Sequence, residues 1–78
     1  MVAQNSILDV QQAHMRGFKA EQHGQWHLVV QHYLFCLEQA SSAQDKRAVR
    51  FFAKKLSLVY NHMRMQAKAE YYQRLSHV

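Results

Sequence analysis

Hydrophobic positions recur along this chain at intervals of three and four, the spacing that gathers side chains on one face of an α-helix. Ile7, Val10, Ala13, Gly17 and Ala20 share one such face, with Leu8, Met15 and Phe18 alongside. Trp26, Val29, Val30, Tyr33, Leu34, Leu37 and Ala40 form a second face, and Val49, Phe52, Leu56, Val59, Tyr60, Met63 and Ala67 a third. The polar stretches between them, around Gly24 and at Ser41-Ser42-Ala43-Gln44, read as turns, and Gly24 supplies the left-handed position that helix ends favour. Asn5 or Ser6, with Asp9 behind it, suits a cap for the first helix, and Ser42 with Asp45 a cap for the third. Gly17 falls inside a helix, where it is about 1 kcal/mol worse than Ala, so a neighbouring helix is expected to approach closely there. The pattern predicts an all-α, single-domain chain: an up-down-up antiparallel bundle of three helices over about 5–23, 25–40 and 43–76.

The third of these is the unusual one. From Ala43 to Leu75 there is no Gly and no Pro, so a single continuous helix is expected, about 50 Å long against roughly 25–30 Å for the others. Its far part, from His62 on, would overhang the hairpin by roughly 20 Å. A break near Ser57–Asn61, folding the tail back as a fourth helix, is the alternative; no helix breaker stands there to cause it. The same segment carries a second apolar stripe, Phe51, Leu58, Met65 and Tyr72, repeating every seven residues away from the first. Leu28 and Phe35, also seven apart, lie opposite the apolar face of the second helix. An isolated helix is marginal in water, so the overhang asks for a cover, and a symmetric partner supplies one. These six residues are the expected partner or dimer interface, and a homodimer is the expected assembly.

Composition narrows the class. The chain has 78 residues, two Gly, no Pro and one Cys, a helix-forming mixture too short for a large core and without an intrachain disulfide. Met1 is followed by neither a basic nor an apolar leader region, and the longest wholly apolar run, Tyr33 to Leu37, cannot span a bilayer. A reducing cytoplasm is the expected compartment. Ten Lys and Arg against five Asp and Glu give a net charge of +5, which favours acidic partners. Arg47, Arg50, Lys54 and Lys68 lie beside the second stripe and are the candidate contacts to a polyanion. No helix-turn-helix, zinc finger or ribonucleoprotein motif accompanies them, so a nucleic-acid-associated role binding phosphate backbone stands as the second reading.

One stretch has a familiar spacing. Gly17, Gly24, Trp26, Tyr33, Cys36 and Leu37 follow the order of a tetratricopeptide-type helical hairpin: a small residue, a turn Gly, two aromatics, then small-Leu. Ala13, Ala20, Val29 and Ser41 depart from that pattern. With Gly24-Gln25-Trp26, Tyr33 and the basic helix after Asp45-Lys46, the chain also resembles the microtubule-interacting and trafficking domain. That resemblance implies a three-helix module that takes a partner helix or extended peptide in the groove beside its third helix.

No catalytic constellation emerges. The five carboxylates are dispersed, no Gly-rich phosphate loop is present, and Cys36 has no activating neighbour in the sequence. His23 and His27 stand four apart, yet Gly24 separates them from a common helix and no third ligand completes a set. The expectation is a non-enzymatic interaction module, adaptor or regulatory in role, with no cofactor and no metal.

Overall fold

The computed structural model describes residues 7–78. It is all-helical, in four helices: α1 (Ile7–Gln22), α2 (Trp26–Ser42), α3 (Lys46–His62) and α4 (Gln66–Leu75). The expected cap at Asn5 or Ser6 lies outside the described residues. Each helix packs against the one before it in the chain, so the elements run alternately up and down. α1 and α3 form one row, joined by the Lys55–Glu21 ion pair at 3.0 Å and by His14 against Phe51 and Phe52. α2 and α4 form the other row, and among the described residues their backbones do not approach.

The core lies between the rows. Val29, Tyr33, Cys36, Leu37 and Ala40 of α2 meet Ala13 and Ala20 of α1 on one side and Phe52, Leu56, Val59 and Tyr60 of α3 on the other. The small residues of α1 set the depth of contact. A Cβ on Gly17 would lie 2.8 Å from Cδ1 of the Tyr33 ring, inside its van der Waals surface, so this glycine admits a whole phenol between two helices. Cys36 packs with them, its thiol 3.7 Å from the Val10 carbonyl, and burial pushes its pKa up to about 11. It packs there as a small apolar side chain.

The three-helix expectation fails at one place, Met63-Arg64-Met65. There α3 stops and the chain turns back as α4. No Gly or Pro does this. Arg64 adopts φ +60°, and the amides of Arg64 and Met65 bond back to Asn61 and Tyr60. Gln44 (φ +57°) and Gly24 (φ +67°) close the other two turns with the same pair of bonds, to Ser41 and Ala40 and to Glu21 and Ala20. These left-handed residues stand at 24, 44 and 64, a twenty-residue period.

Energetics explain the turn. A non-glycine residue in the left-handed region costs about 1–2 kcal/mol. Folding back seats Ala69, Tyr72 and Leu75 on α3, where one large side chain alone contributes about 1.5–3 kcal/mol. Tyr72 stacks on Tyr60 at 5.6 Å, and the Ser57 hydroxyl donates to the Ala69 carbonyl at 2.9 Å. The overhang therefore does not form, because Ala69, Tyr72 and Leu75 find cover within the same chain. Arg64→Gly removes the penalty and is expected to raise stability by about 0.5–1 kcal/mol, read as a higher midpoint in urea.

The third helix also starts later than expected. Ser42 ends α2, and Asp45 is itself the cap, its carboxylate accepting from the Ala48 amide at 3.1 Å.

Candidate functional site

The outward face of α3 has a regular composition. Arg47, Phe51, Lys54 and Leu58 occupy positions i, i+4, i+7 and i+11, which fall in one line along a helix. All four are exposed, Phe51 by 47% and Leu58 by 51%. The opposite side of α3 holds the core residues Phe52, Leu56, Val59 and Tyr60, so the line is fixed outward by a rigid helix. Phe51 is further held by edge-on contacts to His14 of α1 at 5.4 Å and to Phe52 at 5.1 Å. Phe18, half exposed on α1 one turn beyond His14, extends the apolar surface onto the neighbouring helix. Beneath it, Lys55 bonds Glu21 and lies 5.6 Å from the centre of the Tyr33 ring, tying α1 to α3. The Tyr33 hydroxyl is buried with no partner at hydrogen-bonding geometry among the described residues, and burial, followed by the Glu21 charge, raises its pKa well above the ordinary phenol value.

The six residues expected to form one interface are divided by the break at Arg64. Phe51 and Leu58 remain together on α3. Met65 sits in the turn as the residue before α4, beside Leu28 and Trp26 in a depression of about 570 Å³. Tyr72 turns inward onto Tyr60. Phe35 is half-buried and, with Leu34, Val49, Tyr71, Tyr72 and Leu75, lines an open groove of about 790 Å³ between α2 and α4. A seven-residue stripe is continuous only while the helix is, and here the helix ends between its second and third members.

The basic residues divide in the same way. Arg47 and Lys54 flank Phe51 on the α3 line. Arg50 is half-buried and its guanidinium donates to the Val78 backbone oxygen at 3.3 Å. Lys68 lies 5.7 Å from the centre of the Tyr60 ring. His23 and His27 fall on either side of the α1–α2 turn, both exposed, and among the described residues no three of His, Cys, Asp and Glu gather around a common point. No described helix is long and apolar enough to cross a membrane.

Sequence reasoning missed the outer surface of α1. Leu8, Met15 and Phe18 were expected beside the buried face, yet they are 60%, 70% and 50% exposed. The signal was available: Leu8, Gln11, Met15, Phe18 and Gln22 form a line of their own, on the side of the helix away from Ala13, Gly17 and Ala20. Ala67, expected in the core, is exposed at the start of α4. No known protein family, characterised protein or solved structure matches this chain.

Proposed function

We infer that this chain is a non-enzymatic interaction module that binds a segment of a partner protein, helix or extended peptide, along the outer face of α3. The observation that carries this reading is the exposed line of Arg47, Phe51, Lys54 and Leu58. Two large apolar side chains held half out of the core, each next to a cation, match a partner that presents apolar anchors between carboxylates. Apolar burial supplies the affinity and the Arg and Lys supply orientation and rate of encounter. The resemblance to tetratricopeptide and microtubule-interacting hairpins points to the same class of ligand. In this reading the module is adaptor or regulatory, works in the cytoplasm, and needs no cofactor.

The division of the cations weighs against the nucleic-acid alternative. A phosphate backbone is tracked by a continuous row of free cations. Here Arg47 and Lys54 face one way while Arg50 and Lys68 are engaged near α4. Selection of a displayed random peptide library on the immobilised protein tests both readings. Expected are sequences that interleave acidic with aromatic or aliphatic residues, bound at least about tenfold more weakly by Leu58→Asp, a difference of about 1.4 kcal/mol. Selection of no common pattern, or binding indifferent to Leu58→Asp, would remove the proposal. Duplex DNA titrated at low and moderate salt is expected to show no steeply salt-dependent binding.

A further inference from the structure

Alternating helix direction puts the turn at Gly24 and the turn at Arg64 at the same end of the molecule. The Trp26 ring, first in α2, stacks on that of His62, last in α3, at 4.5 Å with 6° between planes. The depression of about 570 Å³ at this end is lined by Met63 and His27 as well as by Met65 and Trp26. Two of the chain's four methionines thus stand two residues apart in one turn and share a cavity wall with an imidazole. Met65 holds the N-cap position of α4, where Ser, Thr, Asp or Asn would serve the helix, and its side chain caps nothing.

These donors have a definite character. Thioether sulfur is soft and uncharged, and a ligating imidazole is neutral. Among the described residues no carboxylate and no thiol lines the depression, and neither does Arg64, which separates the two methionines. Hard divalent ions take oxygen ligands, and zinc takes thiolate, imidazole or carboxylate. Two thioethers with one imidazole suit a soft monovalent cation. Trp26 adds an aromatic wall that attracts a cation. The chain's one thiol is elsewhere: Cys36 is fully buried, 3.7 Å from the Val10 carbonyl.

We propose that Met63, Met65 and His27 hold one Cu(I) ion beside Trp26. The step is ligand exchange alone, three neutral donors replacing solvent on an ion that stays Cu(I). Met65 is 37% exposed and His27 is exposed, and a methionine turns about three bonds, so both side chains are free to close on the ion. The bound ion links the start of α2 to the turn before α4. The depression shares no residue with the line of Arg47, Phe51, Lys54 and Leu58, so the site stands or falls separately from the peptide-binding reading.

The test is an anaerobic titration of the full chain with Cu(I), supplied as its acetonitrile complex and followed by the fluorescence of Trp26, the chain's one tryptophan. Saturable quenching and a rise in melting temperature with the ion are expected, and neither with Zn(II). Met65→Leu keeps the volume in an exposed turn and is expected to weaken binding by at least about tenfold with the helical circular dichroism unchanged. Met63→Leu and His27→Gln are expected to act in the same direction, whereas Met15→Leu and Cys36→Ala leave the affinity as it is. In protein labelled with 13C at the methionine methyls, Ag(I), a redox-inert mimic, is expected to move the Met63 and Met65 signals and not that of Met15. The proposal is overturned by an absence of saturable quenching, by affinity indifferent to Met65→Leu and Met63→Leu, by loss of binding on Cys36→Ala, or by an equal response to Zn(II).

Discussion

Gly17→Ala is expected to lower the melting temperature by roughly 5–15 °C, even though Ala is the better helix former. Propensity alone would stabilise α1 by about 1 kcal/mol. Against this, the added methyl meets the ring of Tyr33 at two carbons no more than 2.8 Å away, and that ring is fully buried between α1 and α3. It cannot swing aside, because Phe52 at 5.9 Å and His14 at 6.0 Å bound it and Lys55 lies over its face. Either α1 lifts away from α2 or the ring leaves its rotamer, and overpacking of this kind typically costs about 1–3 kcal/mol beyond the propensity gain. The decisive measurement is a double-mutant cycle with Tyr33→Leu. Removing the ring opens the space that the methyl needs, so Gly17→Ala should be neutral or stabilising in that background. An equal loss in both backgrounds would show that the steric account is wrong.

Ala69→Leu is expected to detach the fourth helix. Ala69 is 3% exposed where α4 packs on α3, and the buried Ser57 hydroxyl bonds its carbonyl at 2.9 Å. A side chain three carbons larger pushes the two helices apart, breaks that bond and pulls Tyr72 from its stack on Tyr60. The cost is about 2–4 kcal/mol, combining overpacking with a lost buried hydrogen bond. Because α3 is the one helix whose backbone α4 approaches among the described residues, its release is local. Limited proteolysis should cut after Arg64 or Lys68 in the variant and not in the parent, while α1 to α3 stay protected. A variant that loses protection everywhere at once would mean that α4 is part of the central core. The same variant leaves the α3 line in place, so it separates packing of the tail from the proposed binding surface.

The residues that define the core were legible from periodicity alone. Val29, Tyr33, Leu37, Ala40, Phe52, Leu56, Val59 and Tyr60 all stood on expected faces and are buried. The closeness of α1 and α2 was legible from Gly17, since a glycine inside a helix has few other reasons to be there. The first turn was legible from Gly24. The second was legible from the polar stretch Ser41-Ser42-Ala43-Gln44, and the third was not, because Arg64 carries no local mark of the left-handed conformation; only its distance from Gly24 and Gln44 does. From the missed turn came the larger error. A line of four residues drawn along one helix was divided between two, and the overhang that required a partner folded onto its own chain.

By itself, then, the order of polar and apolar residues determined that this protein is helical, which side chains leave water, and where two of its three turns lie, because those properties depend on contacts within a few turns of helix. The tertiary structure decided the rest: that a basic helix ends at His62, and that Leu8, Met15 and Phe18 stay outside on α1 and Phe51 and Leu58 on one face of α3. The reason is that the left-handed penalty at Arg64 is local, and only the burial of Ala69, Tyr72 and Leu75 on α3, across the turn, outweighs it.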